Sequence, residues 1–140
     1  MHLLSLVRVL ALMAACLMYF TSAVPYAHAE KAPNAMLLLA ETDNGRTVDV
    51  RVGDTVQVTL RENATTGYRW AIDRYDKEFI EVLKSEPHYP ANTIGVGGTV
   101  AFTFQGRKAG TGEVVLKNWR HWEGDSSVTS RFRFRLRVQP

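Results

Sequence analysis

From residue 36 onward the chain alternates apolar and polar positions in short runs. Met36 to Ala40 is apolar, and from Arg46 to Val52 the side chains of Val48, Val50 and Val52 fall on one face. After a Gly53-Asp54 turn signal, the run from Thr55 to Arg61 alternates through Val56, Val58 and Leu60. Tyr68, Trp70 and Ile72 share a face in the next run, and Phe79 to Leu83 is shorter and mixed. Val100, Phe102 and Phe104 line one side from Thr99 to Gln105. Gly106 to Gly110 reads as a turn, Gly112 to Lys117 leads to Trp119, and Val128 to Val138 closes the chain. A period of two is the signature of half-buried strands, and no stretch sustains the helical period over ten residues. Many short strands separated by turn signals predict an all-β, antiparallel β-sandwich. Trp70, mid-strand in the early part of the domain, occupies the place of the core Trp of immunoglobulin-like sandwiches, here without a disulfide beside it.

The first residues have a different character. Val9 to Phe20 is an uncharged apolar run after the basic Arg8, and Ala27-His28-Ala29 gives the small-x-small pattern of a signal-peptidase site. The run is too short for a membrane span, which needs about 20 residues. Residues 1–29 are therefore expected to be a cleaved secretory signal, and 30–140 a single mature domain, exported to a periplasm or secreted and free of membrane after cleavage. Cys16, after Met13-Ala14-Ala15, is a weaker match to a lipoprotein cleavage box. It is the only cysteine, so the mature domain has no disulfide, thiolate nucleophile or cysteine metal site.

Net formal charge is +3, too mild to imply nucleic acid. Arg131, Arg133, Arg135 and Arg137 alternate with Phe132, Phe134, Leu136 and Val138, as in a strand whose arginine stems cover one face of a sheet. His88 and His121 are the only histidines after residue 29 and show no ligand spacing, so no metal or cofactor is expected. Ser126 and Ser127 lie near His121 and Asp125, but all within one short loop without an oxyanion element, which argues against an enzyme.

Recognition by a sandwich falls to its loops. Asn63-Ala64-Thr65-Thr66-Gly67 lies between two strands, Gly95-Val96-Gly97-Gly98 ends a glycine-rich loop, and Arg120-His121-Trp122 opens a third. The order Asn-x-Thr-Thr-Gly, Gly-x-Gly-Gly, Arg-x-Trp resembles the chagasin family of cysteine-protease inhibitors, and the resemblance extends over nearly the whole mature domain. That family carries Asn-Pro-Thr-Thr-Gly, Gly-x-Gly-Gly and Arg-Pro-Trp-like motifs on three loops of an immunoglobulin-like sandwich. It implies a noncatalytic, noncovalent inhibitor of papain-like cysteine proteases; a monomer is expected. Asn63 to Gly67 would enter the cleft, Gly95 to Gly98 would lie along one side, and Arg120, His121 and Trp122 would grip the other. Ala64 and His121 stand where the family has proline, which implies about 1 kcal/mol less preorganisation. The alternative reading is an adhesion or glycan-binding module using an exposed Trp122, which would not require the other two loops.

Overall fold

The computed structural model describes residues 32–91 and 95–140; the expected signal of residues 1–29, with Cys16, lies outside them. Among the described residues, eight strands form two four-stranded sheets. They are β1 (Met36–Leu39), β2 (Thr47–Arg51), β3 (Thr55–Glu62), β4 (Arg69–Tyr75), β5 (Ile80–His88), β6 (Gly98–Gly106), β7 (Gly110–Trp119) and β8 (Ser130–Gln139). One sheet has the order β1-β3-β6-β5 and the other β2-β8-β7-β4. The all-β sandwich agrees with the alternation in the sequence. Strand direction is more varied than expected, because β1 runs parallel to β3 and β2 parallel to β8. Side-chain alternation is the same in both directions, so it cannot report which one a strand takes. The chain crosses between sheets after β1 and again after β2, and such crossovers permit parallel neighbours where a tight hairpin does not.

The inward faces meet in one core. Val56, Val58 and Leu60 from β3 and Val100, Phe102 and Phe104 from β6 pack on Val114, Leu116, Phe132, Phe134 and Leu136 of the facing sheet. Phe104 meets Phe134 edge-on at 5.5 Å between ring centres, the arrangement that aromatic quadrupoles favour. Trp70 is only half-buried at the rim of this core, not within it. The cause is local: β4 is an edge strand, and the indole N–H reaches out to donate to the Arg61 carbonyl at 2.8 Å. At the opposite end Asp54 is buried, its carboxylate accepting from the Ala35 and Arg51 amides at 2.8 Å each. That ties the β2–β3 crossover to the start of the domain.

β5 is longer than its sequence suggests. Beyond a bulge between Val82 and Lys84, β6 recruits Ser85 to His88 by backbone pairing alone. Pro87 is tolerated there because β5 is a sheet edge.

Candidate functional site

Strand register places the three loops at one end of the sandwich. Glu62 at the end of β3 pairs with Gly98 at the start of β6, and His88 at the end of β5 pairs with Thr99. In the other sheet Arg69 opens β4 opposite Trp119, and Asn118 near the end of β7 pairs with Ser130 at the start of β8. Loop one, between β3 and β4, crosses from one sheet to the other. Loop two closes the β5–β6 hairpin of the first sheet, and loop three closes the β7–β8 hairpin of the second. Loop one is therefore central, with loop two on one side and loop three on the other.

Loop one is organised by its own polar groups. Asn63 is extended and caps a short 3-10 turn over Ala64–Thr66. Its side-chain oxygen accepts from the Thr65 amide at 3.2 Å and from the Thr65 hydroxyl at 2.6 Å. The Thr66 hydroxyl donates to the Asn63 carbonyl at 2.7 Å. Gly67 ends the turn at φ +78°, a left-handed conformation that favours glycine. Both threonine hydroxyls thus spend their donor on the loop itself, and their oxygens keep only acceptor capacity toward a partner. The Asn-x-Thr-Thr-Gly spelling is a device for rigidity.

Loop three is fastened to loop one. The Arg120 guanidinium donates through Nε and Nη2 to the Thr66 carbonyl at 3.0 and 2.9 Å, lies 4.5 Å from the Tyr68 ring centre, and pairs with Glu123 at 3.2 Å. Arg120 therefore acts as an internal strut between the two loops. Trp122 lies against Gly67: a Cβ built there would come within 2.5 Å of the Trp122 ring. The ring is nevertheless 61% exposed, with His121 edge-on against it at 5.2 Å. Loop three is pinned from below by Lys117, whose ammonium reaches Asp125 at 2.7 Å and Asp73 at 3.3 Å over the Trp119 ring. The bond to Asp125 raises the Lys117 pKa and holds the Asp125 carboxyl below its ordinary range. Ser127 is buried, with its hydroxyl near the Arg120 amide at 3.0 Å and the Gly124 carbonyl at 2.7 Å, so it staples the loop and is no exposed nucleophile. Trp119, at the end of β7, is half-buried, in contrast to Trp122.

On the loop-two side the determining residue is Glu62. Its side chain is 3% exposed. It accepts from the Trp70 amide at 2.7 Å, from Arg69 at 3.2 Å and from the Tyr89 hydroxyl. Burial, and then the bond to Glu62, raise the Tyr89 pKa. The Tyr89 ring in turn covers Gly98, where a Cβ would lie 2.3 Å from it. One buried carboxylate thereby ties the base of loop one to the base of loop two. Glu62 falls between the alternating run Thr55 to Arg61 and the motif that starts at Asn63, so neither pattern singles it out. The signal that finds it is the alternation itself, since Glu62 continues the inward-facing series Val56, Val58, Leu60. Of the loop-two residues, Gly95, Val96 and Gly97 are exposed and Gly98 is partly covered. An open crevice of about 590 Å³ runs between loops one and two past Asn63, His88, Pro90 and Gly97.

A noncatalytic sandwich that presents a rigid central turn flanked by two braced loops is a protein-binding module. The chain belongs to the chagasin family of peptidase inhibitors: the model of that family, Chagasin family peptidase inhibitor I42, matches residues 49–138. Chagasin from Trypanosoma cruzi is 32% identical over 105 residues, covering 71% of this chain and 96% of that protein. Amoebiasin-1 from Entamoeba histolytica is 28% identical over 103 residues, covering 72% and 98%. The crystal structure of the cysteine protease inhibitor EhICP2 from Entamoeba histolytica superimposes with a TM-score of 0.68 at 21% identity, over 76% of this chain and 98% of that one. PbICP-C, solved in complex with falcipain-2, does so with a TM-score of 0.57 at 20% identity, over 76% and 100%.

Proposed function

We propose that this chain is a reversible, noncovalent inhibitor of papain-like cysteine proteases that seats Asn63–Gly67 in the active-site cleft. Gly95–Gly98 lies along one wall and His121 and Trp122 along the other, while Arg120 sets the spacing of the central and third loops from within. The observation that carries this reading is the convergence of the three loops on one end of the sandwich, with the internally hydrogen-bonded Asn63–Gly67 turn in the middle. Support comes from membership of a peptidase-inhibitor family and from a structural neighbour solved in complex with falcipain-2. A turn whose hydroxyl donors and Asn63, Ala64 and Thr66 carbonyls are already engaged loses little entropy on docking.

The deciding experiment titrates a panel of papain-like enzymes with the purified domain. Stoichiometric inhibition with the inhibitor recovered intact is expected, and trypsin is expected to be unaffected. No inhibition at micromolar concentration rejects the assignment. Trp122→Ala is expected to weaken binding by about 2 kcal/mol, roughly thirtyfold, as loss of an exposed aromatic anchor does. Export through a signal ending at Ala29, giving a monomer that begins at Glu30, is part of the same proposal. Intact mass of the exported form tests it, and a diacylglycerol-modified Cys16 would reject it.

A further inference from the structure

Strand β8 places Arg131, Arg133, Arg135 and Arg137 in a single exposed row on the outer face of the β2-β8-β7-β4 sheet. The row carries four positive charges, with three carboxylates, Asp49, Asp73 and Glu113, beside it on the same face. At 3.4 Å per residue, the row spans about 20 Å with a side chain every ~7 Å. The two ends are paired internally: Arg137 with Asp49 at 2.9 Å and Arg131 with Asp73 at 4.0 Å. Among the described residues, the guanidinium groups of Arg133 and Arg135, in the middle, have no ion-pair partner. Their neighbours on β7 are Val115 and Glu113, and Glu113 is engaged by Arg74. Val115 faces outward yet is fully buried, so this face is carpeted by side-chain stems that hold the charged heads at the surface. Like charges stacked along one strand repel one another, and a bound anion relieves that cost.

We infer that this row is a docking track for a linear acidic polysaccharide, which would tether the protein while the loop end stays free to take a protease. Oligomer binding goes beyond the inhibitory function and does not depend on it, while the freedom of the loop end to take a protease rests on that function. Arginine forks match carboxylate and sulfate geometry two bonds at a time. The row is one residue wide and bordered by the carboxylates of Asp49 and Glu113. A bilayer surface would press those acids against anionic headgroups, whereas an extended chain lying along β8 avoids them. Single-stranded nucleic acid calls for aromatic platforms. The aromatic on this face, Trp119, is half-buried beneath Lys117. The row starts at Arg131 beside loop three and runs from there along the side of the sandwich, so its unpaired middle, Arg133 and Arg135, lies clear of the three loops and leaves them free for a second partner.

The test measures binding of the purified protein to heparin and alginate oligomers at 50 and 200 mM salt. Phosphatidylglycerol vesicles and single-stranded DNA serve as the other polyanions. Salt-sensitive binding to the oligomers is expected, with R133Q/R135Q at least tenfold weaker and K84Q/K108Q, which removes the same charge elsewhere, within twofold of the parent. Protease titration in the presence of saturating oligomer is expected to give an unchanged inhibition constant. Equal weakening in both double variants, tighter binding to vesicles or DNA, absence of oligomer binding, or competition between oligomer and protease would each overturn the inference.

Discussion

Replacing Glu62 by Gln probes the tie between loops one and two. The carboxylate serves three donors at once: the Trp70 amide, the Arg69 guanidinium and the Tyr89 hydroxyl. Glutamine preserves the shape and one acceptor oxygen but turns an NH2 toward one of these donors, so a buried donor is left without an acceptor. An unsatisfied buried group costs about 1–3 kcal/mol. Arg69 is half exposed, so its share of the loss is small after solvent screening. A net cost near 2 kcal/mol lowers the melting temperature by about 10 °C in a domain of this size. Loop two then loses its anchor, because Tyr89 no longer holds its ring over Gly98. Reordering the two loops on docking adds about 1 kcal/mol, or roughly fivefold in the inhibition constant. Thermal melts and protease titrations at 15 °C, where the variant is still folded, separate the two effects. Tyr89→Phe alone is expected to cost about 1 kcal/mol, and the pair of changes to be less than additive, since both act on one network. If Glu62→Gln melts within 2 °C of the parent and inhibits as well, the carboxylate holds nothing together and the reasoning fails.

Ala64→Pro is expected to tighten inhibition two- to fivefold. Ala64 opens its 3-10 turn, where proline fits, and Asn63 before it is already extended (φ −114°, ψ 96°); weaker inhibition would show that the loop must flex to dock. Gly67→Ala forces a side chain into φ +78° and toward the Trp122 ring, so stability is expected to fall by about 1–2 kcal/mol and inhibition by more than tenfold in the same two assays. Asp125 has a folded pKa below its ordinary 3.8, so its contribution to stability is present above that value and is lost as pH falls through the folded pKa. Lys117, raised by the same contact, loses its contribution only above 10.5. Loop three should therefore stay pinned between about pH 4 and 10 and loosen in stronger acid. A fluorescence change from Trp119 beneath Lys117 is expected to report this, and Asp125→Asn to abolish it; an unchanged acid transition in that variant would assign it elsewhere. Trp70→Ala is expected to cost about 2–3 kcal/mol, below the range for a fully buried Trp, because the ring sits at the core rim; a parent-like melt would show that it packs on nothing.

Inward positions were legible without coordinates wherever a strand runs unbulged, because its side chains then alternate strictly between the two faces. Val56, Val58 and Leu60, Val100, Phe102 and Phe104, and Phe132, Phe134 and Leu136 all face the core as their alternation demands. The three loop motifs were legible too, since Asn, Thr and Gly in that order encode a turn from local hydrogen bonds and left-handed backbone, which need no distant partner. Direction, length and company were decided only by tertiary structure. The parallel pairings of β1 and β2, and the recruitment of Ser85 to His88 into β5, rest on backbone bonds that leave no side-chain signature. Glu62 and Arg120 make the same point at the site. Glu62 stood outside the three motifs and Arg120 was expected to grip a protease, yet Glu62 meets Arg69, Trp70 and Tyr89 across 7 to 27 residues of chain and Arg120 meets Thr66 across 54. Contacts between groups so far apart in sequence exist only once the two sheets have closed on each other and brought three separate loops to one end.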